Sequence, residues 1–277
     1  MAVGGITLGQ KLGVLLKYIR IWWPCISPIA IFYIAHAIIY FAIIDAHPSH
    51  ETLVASPVGN DVELWSLRIA SIVCTFVFWR MWSKVRFPTR QNGILRVETG
   101  LLVIAFAAAL QVLLINFATA SRLVSIPPHI THQEPFALTV RVLFGVVLSP
   151  ILEGFMFRGV IFNRLTAITS QWQAVLISSV MVGLLHTHTD ALTFVGAMTF
   201  GIVFALIYIC FRRLWLCVVA HMIVNFLVAN VAILTFLQST ALRFPVVSVA
   251  LPITVIIGLV VLIFKRHPTI LAAILDK

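Results

Sequence analysis

Among the polar side chains that interrupt long apolar stretches of this sequence, five could take part in chemistry: Glu153, Arg158, His186, His221 and Asn225. Of the nine acidic residues, Glu153 is the one that falls deep inside an apolar run. A carboxylate shielded from water is a stronger base than one in bulk solvent, and a nearby imidazole can share in the proton transfer. Asn225 follows His221 by four residues, so both side chains project from one face of a helix. Such a set is typical of a site that activates a water and stabilises an oxyanion.

Each of these residues also has a structural interpretation. Glu153 and Arg158 could form an ion pair, or Arg158 could anchor a helix end at the cytoplasmic surface. His221 and Asn225 could join helices by hydrogen bonds, and His186 could be an ordinary buried histidine. Glu153, His186 and His221 would also make a zinc set of two histidines and one carboxylate with an open position for water. The sequence requires no cofactor, yet it leaves a metal-free site and a zinc site open.

The elements that must position these residues are membrane helices. The chain has 277 residues, of which 61% are hydrophobic and 10% are charged. Its mean hydropathy is +1.07. Since a soluble fold has roughly a quarter charged residues, most of this chain must lie in lipid. At ~20 residues per span, we predict an all-α transmembrane bundle of about eight helices. The expected spans are 21–44, 64–83, 99–121, 137–163, 172–189, 191–211, 214–237 and 246–264.

The distribution of charge predicts how the bundle is oriented. If the N-terminus is cytoplasmic, most lysines and arginines fall on the cytoplasmic side, whereas the outer 45–63 loop carries acidic residues. The net charge of +10 therefore reflects topology, and nucleic acid is not an expected partner. We predict cytoplasmic N- and C-termini, a cytoplasmic segment 1–20 with an interfacial amphipathic helix, and one transmembrane domain over 21–277. The expected location is the plasma membrane, with the cavity nearer the cytoplasmic side.

The string around Glu153 reads S-P-I-L-E-G-F-M-F-R-G-V-I-F, residues 149–162. It resembles the first motif of the CPBP intramembrane proteases, E-E-x-x-x-R. That family includes the type II CAAX prenyl endopeptidases and bacteriocin-processing or immunity proteins. Glu153 matches the first Glu of the motif and Arg158 matches its Arg, while Gly154 stands where the second Glu is usual.

Two further motifs of the family follow in the expected order. His186 closes V-G-L-L-H, similar to F-x-x-x-H with Val182 in place of the usual Phe. His221 and Asn225 complete H-x-x-x-N. The resemblance covers roughly residues 137–230, which we predict to be the CPBP-like core.

The resemblance implies an intramembrane endopeptidase in which Glu153 with His186 activates a water. His221 and Asn225 would bind the oxyanion, and Arg158 would balance charge or bind the C-terminal carboxylate of the substrate. The implied partners are the bilayer and a membrane peptide or protein, with lipidation of that substrate left open. Because Arg158 would lie on the same helix face as residue 154, we expect Gly154→Glu to fold and to keep or raise activity.

Two other functions are compatible with the same residues. A non-catalytic scaffold or immunity factor of the same fold would keep the pocket and bind a partner, and Gly154 favours this alternative. A small-solute or proton-coupled transporter could use Glu153 as its carrier, although the sequence lacks the paired, interrupted spans typical of transporters. Loss of the Glu153 carboxylate separates the endopeptidase from the scaffold.

Overall fold

The computed structural model describes residues 8–45, 57–83, 97–123, 139–140, 142–186 and 191–266. Every regular element in these ranges is helical, as the composition predicts, and we number the main helices along the chain. They are α1 (Leu8–Asp45), α2 (Pro57–Ser83), α3 (Val97–Ala120), α4 (Val142–Leu165), α5 (Gln171–Leu185), α6 (Ala191–Phe211), α7 (Leu214–Ala229), α8 (Val231–Arg243) and α9 (Pro245–Arg266). The predicted segments 84–96, most of the 45–63 loop and both chain ends lie outside the described residues.

Several of these helices are long and apolar enough to cross a bilayer, which confirms a polytopic membrane protein. Five pass by length and composition: α1 from Leu16 onward, α3, α4, α6 and α9. The bent pair α7 and α8 makes a sixth if it is one span. At 15 residues α5 is about 22 Å long, shorter than the ~30 Å hydrocarbon core. The predicted count of eight is therefore not confirmed by these criteria.

The predicted span over 214–237 is not continuous. Helix α7 ends at Ala229, and the chain bends by 72° before α8 continues. Asn230 has an extended backbone at this break, and its side-chain oxygen accepts a hydrogen bond of 3.0 Å from the Ile233 N–H. Asparagine is among the strongest N-cap residues, so it begins a new helix here. The prediction of an unbroken helix is wrong because apolar composition alone does not reveal a cap.

Helix α5 also differs from its predicted bounds, and the difference moves a candidate residue. Ser170 and Gln173 form a capping box that begins the helix, with reciprocal hydrogen bonds of 3.3 and 3.0 Å. The helix ends at Leu185, before the end of the predicted 172–189 span, so His186 occupies its C-terminal cap. His186 therefore lies at a helix end, where its backbone is less constrained than in the middle of a span.

Helix α4 changes its winding along its length. Val142–Leu148 and Gly154–Ile161 are π-helical, whereas Ser149–Glu153 and Phe162–Leu165 are α-helical. Residues five apart are about 140° apart around an α-helix. The i→i+5 hydrogen bonds of a π-helix bring such residues about one turn apart on one face. The winding after Glu153 thus directs residues 153 and 158 to the same side of α4.

One polar side chain satisfies the backbone where the π-helical stretch ends. The Asn163 amide nitrogen donates to the carbonyl oxygens of Arg158 (2.7 Å) and Gly159 (2.9 Å). It also lies 3.2 Å from the Tyr208 hydroxyl on α6. Since unpaired backbone groups are costly in lipid, this amide supports the change of winding.

Helix α4 forms the centre of the bundle and packs against α1, α2, α5, α6 and α7. Its second half is almost fully buried, whereas the α9 side chains Val246 and Leu251 remain exposed. An apolar outer surface is the expected state of helices that face lipid. The buried apolar residues of this half are Met156, Phe157, Val160, Ile161, Phe162 and Leu165.

Candidate active site

Helices α3 to α8 surround a cavity of about 610 Å³. This volume lies within the usual range of small-ligand pockets, about 300–1,000 Å³. The structure brings all five residues singled out in the sequence to its wall: Glu153 and Arg158 from α4, His186 from the end of α5, and His221 and Asn225 from α7. The roles given to these residues remain predictions.

Glu153 is partly buried, and one of its oxygens is held in place. The Ser149 hydroxyl, one turn earlier on α4, donates a hydrogen bond of 2.8 Å to Glu153 Oε1. This leaves Oε2 as the oxygen for a water molecule. Sequence reasoning missed Ser149, although its position four residues before Glu153 on a helix was a usable indication.

His186 is oriented by the end of its own helix. Its backbone N–H donates to the Gly183 carbonyl (2.9 Å), and its ring Nδ1 lies 2.9 Å from the Val182 carbonyl. A carbonyl oxygen only accepts, so Nδ1 carries the proton in this contact. A neutral ring then presents Nε2 as a hydrogen-bond acceptor, which is the form required of a base. Val182, found where the family usually has Phe, contributes its backbone to this arrangement.

His221 and Asn225 project from α7 towards α4 and α6. The His221 ring packs against Phe204, with ring centroids 4.9 Å apart, and it interacts electrostatically with Glu153. The Asn225 amide nitrogen donates a hydrogen bond of 2.8 Å to the Gly145 carbonyl. Because the amide group carries two N–H donors, this bond positions Asn225 without using both of them.

Arg158 is buried, with 3% of its surface exposed, so it is not a surface anchor. Its Nη2 donates a hydrogen bond of 2.7 Å to the Gly201 carbonyl rather than pairing with Glu153. Its Nε and Nη1 are buried and have no hydrogen-bond partner among the described residues. Burying unpaired guanidinium donors costs free energy. The Arg158 side chain also borders the cavity, so its positive charge favours an anionic group there.

Gly154 marks a close approach between α4 and α7. A Cβ atom at this position would lie 2.6 Å from Val218 Cγ2. Valine is branched at Cβ and has little rotamer freedom on a helix, so it cannot move aside easily. The expectation that Gly154→Glu folds normally is therefore wrong for this structure. It considered only the face of α4 shared with Arg158 and not the neighbouring helix.

A metal site was tested against the same geometry. Among the described residues, no three side chains of His, Cys, Asp or Glu are arranged to hold a metal ion. Glu153, His186 and His221 line one cavity, and the choice between a metal-free site and a zinc site stays a prediction.

Comparison with known proteins gives two matches, one to a family and one to a single protein. Residues 135–227 match the family described as type II CAAX prenyl endopeptidase Rce1-like. A protein of Bacillus subtilis (strain 168), YdiL, which carries the name of a membrane peptidase, is 35% identical over 89 residues. That alignment covers 32% of this chain and 36% of the relative, so it spans about a third of the length of each. No solved structure gives a significant match. Residues 135–227, which contain all five cavity residues named above, are therefore similar to the type II CAAX prenyl endopeptidase Rce1-like family.

Proposed function

We propose that this protein is an intramembrane endopeptidase that hydrolyses a peptide bond in or near the bilayer with a water activated by Glu153. The observation that carries the proposal is the Glu153 carboxylate itself, held by Ser149 in a cavity shared with two histidines, an amide and a buried arginine. The match of residues 135–227 to the Rce1-like endopeptidase family and the name of the Bacillus relative support it.

The proposed reaction uses only groups of this chain and a water. Glu153 Oε2 removes a proton from the water, which donates its other hydrogen to His186 Nε2. The oxygen adds to the carbonyl carbon of the substrate, and His221 and Asn225 donate hydrogen bonds to the resulting oxyanion. Protonated Glu153 then transfers its proton to the departing nitrogen as the C–N bond breaks. The products are a new carboxylate and a new amine.

Arg158 gives this site its preference for one part of the substrate. The positively charged Arg158 side chain borders the cavity, while its Nη2 is held by the Gly201 carbonyl. We propose that this charge attracts the C-terminal carboxylate of a membrane peptide or protein towards the scissile bond. The name of the matching family makes a prenylated C-terminus the first substrate to test.

The test uses purified protein in detergent micelles and two internally quenched peptides that end in a C-a-a-X sequence. One peptide is farnesylated at its cysteine and the other is unmodified, so the pair reports whether the lipid is needed. A chelator is present throughout, because the proposed reaction needs no metal. Cleavage of either peptide supports the proposed peptidase function. Folded protein that cleaves neither peptide would contradict it.

Substitutions of the two proposed oxyanion donors should reduce cleavage by different amounts. Asn225→Ala should lower kcat by ~10²–10³-fold, the usual effect of removing one such donor, and His221→Ala should abolish cleavage. The control is Asn230→Ala, which removes the cap of α8 and should cost about 1 kcal/mol of stability. Its turnover per folded molecule should stay normal. An Asn225→Ala enzyme with the kcat of wild type would remove this residue from the mechanism.

We also propose a plasma-membrane location, cytoplasmic termini, and a cavity that opens towards the cytoplasm. An exposed ion pair joins Arg266 at the end of α9 to Glu98 at the start of α3, so both helix ends lie on one side. Arg164 at the end of α4 donates to the carbonyl of Pro24, which lies in the first half of α1, so that half of α1 is beside the end of α4. The arginine-rich 84–96 segment leads into α3, and the positive-inside rule assigns that side to the cytoplasm.

Cysteine-accessibility labelling tests this orientation. Single cysteines placed in 84–96 and near the C-terminus should react only with reagent on the cytoplasmic side. Cysteines in 47–60 should react only from outside. Labelling of 47–60 and 84–96 from the same side would contradict the proposed topology.

A further inference from the structure

Two buried glutamines line the cavity on a wall that the family motifs do not reach. Gln111 on α3 is 8% exposed and Gln238 on α8 is 4% exposed. Both border the same cavity as Glu153. Neither side chain hydrogen-bonds to any residue in the part of the chain that the structure describes. Both also lie outside the 135–227 segment that matches the family.

A third buried amide, that of Asn116, has a structural role and serves as a comparison for the two glutamines. Asn116, also on α3, is 4% exposed and donates a hydrogen bond of 2.8 Å to the Ser248 carbonyl of α9. Through this nitrogen it joins two helices, although its Oδ1 is buried without a partner among the described residues, and it does not line the cavity. Gln111 and Gln238 make no such bond, and their amide atoms are not among the fully enclosed polar atoms of the described fold, so they are accessible from the cavity that they line.

The chemistry of the wall identifies a ligand class. The other residues of α3 and α8 that line the cavity are mostly apolar and include Leu114, Phe117 and Leu234. A glutamine offers two N–H donors and one carbonyl acceptor, which complements the C=O and N–H of a peptide group. A helical substrate uses these groups internally, whereas an extended one exposes them. An extended peptide with apolar side chains fits both the amides and their surroundings.

We infer that Gln111 and Gln238 bind the main chain of an extended segment of the substrate along the α3–α8 wall. Glu153 and the histidines act on the scissile bond from α4, α5 and α7. The inference rests on the proposed peptidase function and adds to it a binding subsite for peptide groups. It makes the two glutamines substrate-binding residues that act on affinity rather than on the chemical step.

The test compares Gln111→Met, Gln238→Met and the double variant, because methionine fills a similar volume without the amide. The probe is the farnesylated quenched peptide, with KM and kcat measured on active protein and Kd measured in a Glu153→Gln background. We expect KM and Kd to rise by about tenfold in each single variant and about a hundredfold in the double variant. The kcat should stay within about twofold of wild type, and thermal stability should stay equal or rise.

Asn116→Leu serves as the matched control. It removes an amide that is bonded within the protein, so it should lower the melting temperature and leave KM unchanged. A double glutamine variant that loses stability in the same way, with normal KM and Kd, would overturn the inference.

The outcomes separate this inference from the proposed function. If the wild-type protein cleaves the probe and the double variant has the same KM, the glutamine subsite is contradicted, while the proposed peptidase function is still supported. Wild-type binding without cleavage overturns the peptidase, while the Kd values still decide the role of the glutamines. Folded wild-type protein that neither binds nor cleaves the probe overturns both.

Discussion

Glu153→Gln is expected to abolish peptide cleavage while leaving the fold and peptide binding intact. The amide has nearly the shape of the carboxylate, and its oxygen can still accept the hydrogen bond from Ser149. It cannot take a proton from water, so the general base is lost. We expect kcat to fall by about 10⁴-fold, the upper part of the range for general-base catalysis. The measurement is cleavage of the quenched peptides beside peptide binding by fluorescence anisotropy.

Glu98→Gln supplies the matched control for this substitution. Glu98 is exposed and pairs with Arg266 at the membrane surface, far along α3 from the cavity residues. Exposed ion pairs contribute little, so stability and kcat should stay close to wild type. Near-normal cleavage by the Glu153→Gln variant would contradict the assignment of Glu153 as the general base. A large loss of folded protein in that variant would instead indicate a structural carboxylate.

Gly154→Glu is expected to yield little folded protein. The first added carbon would already lie 2.6 Å from Val218 Cγ2, and the remaining side chain would bring a carboxylate into the buried contact between α4 and α7. Gly154→Ala introduces the clash without the charge and should cost about 1–3 kcal/mol. The measurements are detergent-purified yield and melting temperature for both variants.

Two further variants establish the cause of that loss. Val218→Ala removes the clashing methyl groups, so combining it with Gly154→Ala should recover most of the stability lost by Gly154→Ala alone. Gly258→Ala on α9 is the control, because its added carbon would meet nothing within 4 Å. A Gly154→Glu protein that folds and melts like wild type would show that α4 and α7 are not in the close contact described.

The candidate site could be predicted from the sequence because lipid makes polar residues rare inside helices. With so few charges in the spans, Glu153 and Arg158 stand out, and the motif order adds the two histidines and Asn225. The structure places all five at one cavity. The all-helical class follows from the same composition, because only helices and closed barrels satisfy the backbone in lipid.

The rest of the site depends on local hydrogen bonds and on neighbouring helices, which hydropathy does not record. Helices that are apolar all round have no periodic pattern, so neither the π winding after Glu153 nor the break at Asn230 was predicted. Gln111 and Gln238 look like isolated polar residues until α3 and α8 meet at one wall. Gly154 looked replaceable because its contact with Val218 joins residues far apart in the chain.

The most direct test of the central claim is to follow the oxygen of the activated water. Membranes carrying wild-type protein or Glu153→Gln are incubated in heavy-oxygen water, and newly formed C-termini are identified by mass spectrometry. We predict a set of peptides whose new carboxylates carry the heavy isotope in wild-type membranes and which are missing with Glu153→Gln. Identical sets of labelled C-termini in both membranes would contradict hydrolysis by Glu153 and favour a protein that only binds its partner.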